Sequence, residues 1–363
     1  MKKFLLFAVL VLGSIAVQAQ REAIFTVQNY LEQGELDKAK LCIDSAINTT
    51  LKMDPGAWYV RGFAYKEYYR KYETRTRALA NREEAFRSFK RSKQLDATDE
   101  FLKDNQQNIK ALSIYYYNDV KAFVDSLKYI QAIQYYALYK RTAQEADSLI
   151  NFTKKDIEVN LALGSVYLRL ADRNPAQRAE FIEKEKAAFN KVLDLDPNNI
   201  TANYNMALLF YNQAVKIINN MGYDEDIIRL INITDTCGLL FKEALPFMEK
   251  ADQLNPNRLE TLTGLSGIYF SLNEEEKKKA VEERLRLLQQ NNSQEIDSLN
   301  KQKKAIEERL QLLQQNNSPN DSNTQDNKVE IDSLNKQKKA IEERLRLLQQ
   351  NNSPNNSNPQ DNN

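Results

Sequence analysis

Apolar residues recur at helical spacing through most of this chain, and the recurring stretches close in a common way. Lys191-Val192-Leu193-Asp194-Leu195-Asp196-Pro197, Lys250-Ala251-Asp252-Gln253-Leu254-Asn255-Pro256 and Arg91-Ser92-Lys93-Gln94-Leu95-Asp96-Ala97 each end an amphipathic segment. After Pro197 the next apolar stretch covers residues 203–210, and after Pro256 it covers 262–269, at the same distance from the proline. The pattern predicts consecutive antiparallel helix pairs. One such pair cannot bury its apolar face alone, so the pairs must stack.

Trp58-x2-Arg61-Gly62-x2-Tyr65 and Asn160-x2-Leu163-Gly164-x2-Tyr167 resemble the first helix of the tetratricopeptide repeat, W-x2-L-G-x2-Y, with Arg61 in place of the usual Leu. Ala39-x3-Ile43-x2-Ala46, Ala85-x3-Phe89-x2-Ser92 and Ala244-x3-Met248-x2-Ala251 resemble its second helix, A-x3-F-x2-A. The small residue lets two helices approach closely, and the larger ones fill the seam. The resemblance implies an all-α chain, a right-handed solenoid of antiparallel helix pairs over residues 20–290. Insertions are expected, since Tyr65 to Ala85 and Phe210 to Ala244 are too far apart for the usual turn, unless the helices themselves run longer. Residues 98–155 fit poorly, with Ala132-x3-Tyr136 suggesting a degenerate unit.

In this family the first helix of each pair lines the concave groove that holds a protein segment. The matching positions are Tyr59, Phe63 and Lys66, then Leu161, Ser165 and Leu168, then Tyr204, Leu208 and Tyr211, then Thr263 and Phe270. The implied groove is aromatic and nearly uncharged, and it lacks the Lys and Asn clamp of members that hold the acidic C-terminus of cytosolic chaperones. The alternative is that these rings pack against the inserted segments. A further cluster, Tyr115, Tyr116, Tyr117, Tyr129, Tyr135, Tyr136 and Tyr139, reads as the seam of an irregular helix pair rather than a sugar platform.

Beyond Leu272 the composition turns to Glu, Lys, Gln and Asn. Residues 295–319 recur at 330–354 with one change, Gln311 to Arg346, and a partial copy occupies 280–293. Ile296, Leu299, Ile306, Leu310 and Leu313, and their counterparts Ile331, Leu334, Ile341, Leu345 and Leu348, form a heptad seam with Lys303 and Lys338 at one core position. The pattern predicts duplicated short coiled-coil helices over 291–350, joined by Asn-, Ser- and Gln-rich linkers, then a disordered polar tail at 351–363. Residues 291–294 suit a connection that pairs 274–290 antiparallel with 295–315. The tail is either an arm for self-association through 295–315 and 330–350 or a solvated spacer left by duplication.

Lys2 and Lys3 precede an unbroken apolar run over residues 4–12, and Val17-Gln18-Ala19 has small residues at the sites a signal peptidase reads. Residues 1–19 are therefore expected to be a signal peptide, too short in its apolar part to span a bilayer comfortably, and no later stretch is long enough for an integral membrane segment. The chain is expected to be exported, to the periplasm of a Gram-negative cell first, with the secreted medium or association with the envelope as alternatives. Of 51 Lys and Arg, loss of Lys2 and Lys3 leaves 49 against 50 Asp and Glu, so no bulk charge draws nucleic acid. The chain has no His, which removes His-based triads, bases and metal sites, and Cys42 and Cys237 are too few for a zinc cluster. Both read as buried apolar residues. Asp194-x-Asp196-x-Asn198 opens like a calcium loop, but Asn199 replaces the needed Gly and Asn205 the needed Glu, so it reads as a helix end. No metal, cofactor or catalytic residue is expected. The function expected is a scaffold or adaptor for protein partners, with a self-associating envelope protein and a glycan-binding protein as alternatives.

Overall fold

The computed structural model describes residues 22–222, 225–315 and 324–352, and among them the regular elements are helices without a strand. The expected signal peptide lies outside the described residues. So does the expected polar tail, apart from the backbone of 351 and 352, which closes the last helix. The chain divides into two compact units, Met1–Arg173 and Asn174–Asn363.

The first unit begins with α1 (residues 22–32) and α2 (Leu36–Thr49). They are joined at Gly34, whose φ of 74° is the left-handed conformation that only glycine adopts without strain. α3 (Pro55–Tyr68) starts at Asp54, whose carboxylate accepts from Ala57 N at 2.8 Å while Pro55 supplies a preset first turn. It widens into a π-helical turn, Tyr69–Glu73, before α4 (Ala80–Leu95). α3 and α4 lie antiparallel. Gly62 faces the Phe89 ring so closely that a Cβ there would sit 2.6 Å from it, as the small-residue pattern implied. Arg61 bridges three helices: its guanidinium donates to Asp44 of α2 at 2.7 Å and to Glu84 and Ser88 of α4 at 3.0 and 2.7 Å.

Residues 98–155, which matched the repeat poorly, contain a well-packed antiparallel pair, α5 (Leu102–Asp125) and α6 (Tyr129–Ala146), followed by the start of α7 (Thr153–Arg173). Their tyrosines form the seam. Tyr116 meets Tyr135 at 6.2 Å, Tyr117 meets Tyr139 at 5.1 Å, and Tyr129 reaches Tyr167 of α7 at 5.3 Å. A buried cation organises this region. Arg82 of α4 is wholly inaccessible, donates to Asp119 of α5 at 2.6 Å and to the carbonyls of Arg77 and Ala78, and lies 4.5 Å from the rings of Tyr69 and Tyr116. Every donor direction that is named here has an acceptor, which is what makes a buried guanidinium tolerable.

The second unit contains α8 (Arg178–Leu195), α9 (Ile200–Asn219), α10 (Ile227–Leu254), α11 (Leu259–Ser271), α12 (Glu275–Gln315) and α13 (Thr324–Asn352). The long spacing from Phe210 to Ala244 is mostly helix: α9 runs on and α10 starts early, capped by Asp226, which accepts from Arg229 N at 2.9 Å. Asp196, from the calcium-like motif, caps the end of α8 and accepts from Asn198 N at 3.1 Å. Gly264 and Gly267 of α11 sit against Met248 and Tyr211, again where a Cβ would collide. Both thiols are free; Cys237 is buried with its Sγ 3.6 Å from Ala214 O, whereas Cys42 is only half-buried.

The tail departs from expectation. The break expected at 291–294, and with it the pairing of 274–290 with 295–315, does not occur, because α12 is one helix of 41 residues. Asn291-Asn292-Ser293-Gln294 has neither Gly nor Pro, so its weak helix propensity costs only tenths of a kcal/mol per residue, and strong helix formers flank it. The boundary expected after residue 290 falls inside that helix. α12 is fastened to the repeats by Arg284, whose guanidinium spans both oxygens of Asp252 at 2.8 and 2.9 Å, and by the buried Val281. Its far end pairs with α13.

Candidate peptide-binding cleft

Where α3 passes into its π-helical turn, Tyr69 stays buried while Arg70 and Lys71 turn to solvent. Opposite them lies the Gly34 turn, and Lys71 Nζ donates to Gly34 O at 3.2 Å. Between the two runs an open cleft of about 480 Å³, lined by Leu31, Gly34, Leu36, Phe63, Glu67, Arg70 and Lys71. Its floor is apolar and its rim charged. Arg70 and Glu67 pair at 2.5 Å, but the arginine is well exposed, so a carboxylate from outside can compete for it at little cost.

Phe63 is the one expected groove residue that lines this cleft. Its neighbours on α3 are engaged elsewhere. Tyr59 is wedged between Phe89 of α4 and Phe101, with ring centroids at 6.0 and 5.5 Å. Lys66 donates to Asn108 of α5 at 2.6 Å and lies 4.5 Å from the Phe63 ring; burial lowers its ammonium pKa against the pull of Glu67. Leu161, Ser165 and Leu168 are half-buried on α7, and the Ser165 hydroxyl donates to Leu161 O within its own helix.

In the second unit Tyr204 requires a correction as a surface residue. It is 3% exposed, with the Arg258 guanidinium 4.1 Å from its ring, because the turn after α10 folds over it. Tyr211 packs on Phe241 of the lengthened α10 at 5.6 Å and Leu208 is half-buried, so Tyr211 packs against the inserted segment whereas Tyr204 is covered by the turn after it. Thr263 and Phe270 are exposed, the latter beneath Lys278 Nζ at 4.8 Å. The expected groove residues are thus spread over several environments.

Leu31, Gly34, Leu36, Glu67, Arg70 and Lys71 were not singled out in the sequence. Gly34 between two helical patterns marks the turn, and Glu67 and Arg70 stand one helical turn apart, so part of the cleft could have been inferred.

A second opening of about 530 Å³ includes Asp44, Trp58, Arg61, Glu84, Arg87 and Lys90. Most of its charges are committed internally, Arg61 to Asp44 and Glu84, Arg87 to Glu84 at 2.8 Å, and Lys90 to Glu145 at 2.8 Å, while Arg91 reaches the uncharged Met53 Sδ at 3.9 Å. Tyr65 completes the set, donating to Asp44 at 2.6 Å. This opening is better described as the outer face of a helix-joining network.

No protein-family model and no curated protein matches the chain. Solved structures similar to it include Pseudomonas aeruginosa PilF, 14% identical over 75% of this chain and 93% of that one, with a TM-score of 0.31. The C-terminal part of a TPR repeat-containing protein from Cytophaga hutchinsonii is 14% identical over 73% and 95%, with a TM-score of 0.29. YrrB, a TPR protein with an unusual peptide-binding site, is 15% identical over 68% and 96%, with a TM-score of 0.21.

Proposed function

We propose that this chain is an exported, non-enzymatic scaffold that holds a segment of a protein partner in the cleft between the Gly34 turn and the π-helical end of α3. The observation that supports this reading is the pairing of an apolar floor, Leu31, Leu36 and Phe63, with the exposed cations Arg70 and Lys71. Such a cleft suits a peptide that inserts one apolar side chain and presents a carboxylate beside it. The apolar anchor supplies buried area, and the charges fix its orientation.

The test is selection of peptides from a displayed random library on the full chain, followed by binding measurements with purified peptides. Enriched peptides should carry an apolar residue next to Asp, Glu or a free C-terminus. Phe63→Asp should weaken them at least tenfold, as about 1.4 kcal/mol would, and Arg70→Glu should remove the acidic preference. Undiminished binding by Phe63→Asp with an unchanged melting curve would dismiss the cleft as the site.

A further inference from the structure

The two tail copies do not merely resemble each other; they are paired with each other. Arg344 meets Glu295 at 2.7 Å, and Arg309 meets Glu330 at 2.8 Å. With the 35-residue step of the duplication, these are one contact made twice, since Glu330 repeats Glu295 and Arg344 repeats Arg309. Lys303 meets Glu342 at 2.9 Å and Lys338 meets Glu307 at 2.8 Å, again the same contact in both directions. Burial follows the same symmetry: Leu310 and Leu313 are buried in one copy, Leu345 and Leu348 in the other. The single difference, Gln311 against Arg346, takes no part in these four pairs.

An antiparallel pair of identical segments is self-complementary, which is the property of a two-fold interface. The face that α12 offers to α13 is therefore the face it would offer to another α12. We propose that each copy is a homotypic docking element, and that its partner is a second copy of this chain. The seam is only about three heptads long, with a lysine at the core position of each copy, so a closed hairpin of this kind opens readily. Once it is open, two chains that exchange α13 make every contact of the closed form twice, with no new interface. The exposed ion pairs add little to affinity, but they select the partner, because a wrong pairing sets like charges together. This inference is independent of the cleft.

Charge inversion of one copy in the full chain tests it. In Glu295→Arg, Lys303→Glu, Glu307→Lys, Arg309→Glu, all four contacts between α12 and α13 become repulsive, while α12 stays fully complementary to an inverted α12 of another chain. In the unaltered protein the closed hairpin dominates at low concentration, and exchange grows toward the effective concentration within one chain, on the order of millimolar for segments joined by a short stretch of chain. The inverted variant should have the mass of two chains by light scattering at roughly a hundredfold lower concentration than the parent. Inverting Glu330, Lys338, Glu342 and Arg344 as well should restore the parental behaviour. A one-chain mass for the singly inverted variant overturns the proposal, whether its helical circular dichroism falls or stays unchanged.

Discussion

Individual positions differ in how plainly they state their role. Gly62 could be read as a close approach, because the pattern around it demands a small residue where two helices touch, and the Phe89 ring is there. Gly62→Leu should lower stability by about 1–3 kcal/mol through overpacking, checked by denaturant unfolding. A variant that unfolds like the parent would mean that α3 and α4 can slide apart freely. Arg61 was visible only as a departure from Leu, since its partners Asp44 and Glu84 lie on other helices. Tyr204 was misread because a first-helix position gives the side chain a direction but does not reveal what the following turn lays over it. The cleft residues Arg70 and Lys71 were missed for a related reason: a π-helical turn shifts which side chains face outward, and periodicity assumes that none is present.

At the level of elements, helix existence was legible throughout and helix length was not. The lengthened α9 and α10 arise because apolar periodicity continues past the repeat's usual end, so the extra residues extend the helices. The α5–α6 pair departs from the repeat's sequence because tyrosines do the work that small and aliphatic residues do elsewhere. Buried and half-buried phenols of the first unit, on α3, its π-helical turn and α5, carry a pH dependence. Burial, aided by acceptance at Asp44 for Tyr65 and at Glu158 for Tyr117, pushes the hydroxyls of Tyr65, Tyr69 and Tyr117 up to about 12. Because the folded values lie above the ordinary one near 10, the stabilisation is complete below about pH 10 and is lost as pH rises through about 12. Tyrosinate absorbance should therefore develop in two stages, with helical circular dichroism lost during the second. One uniform titration near 10 with the helices intact would contradict the burial of these three phenols.

For the whole molecule, composition excluded more than it identified: without His, His-based triads, His general bases and His-ligated metals are ruled out. Stacked pairs follow from recurrence alone, whereas the cleft beside Gly34 and Phe63 depends on how a few side chains meet across a turn, which no periodicity encodes. Export rests on the N-terminal residues. If the scaffold works outside the cytoplasm, protein recovered from the cell envelope should begin at Gln20, as read by intact mass. Envelope protein still carrying Lys2 and Lys3 would show that residues 1–19 are not removed as a signal peptide.

The reciprocal ion pairs of the tail have an arithmetic consequence. A segment that recognises its own sequence is satisfied in twos, so the parity of a tandem array governs whether the array closes. Two full copies can close on themselves. A third, added by the same 35-residue step, would leave one seam without an internal mate, and that chain could complete it only by joining another. Unequal recombination across such near-identical stretches would then alternate the protein between self-contained and paired states, one copy at a time, without altering a residue of the repeats.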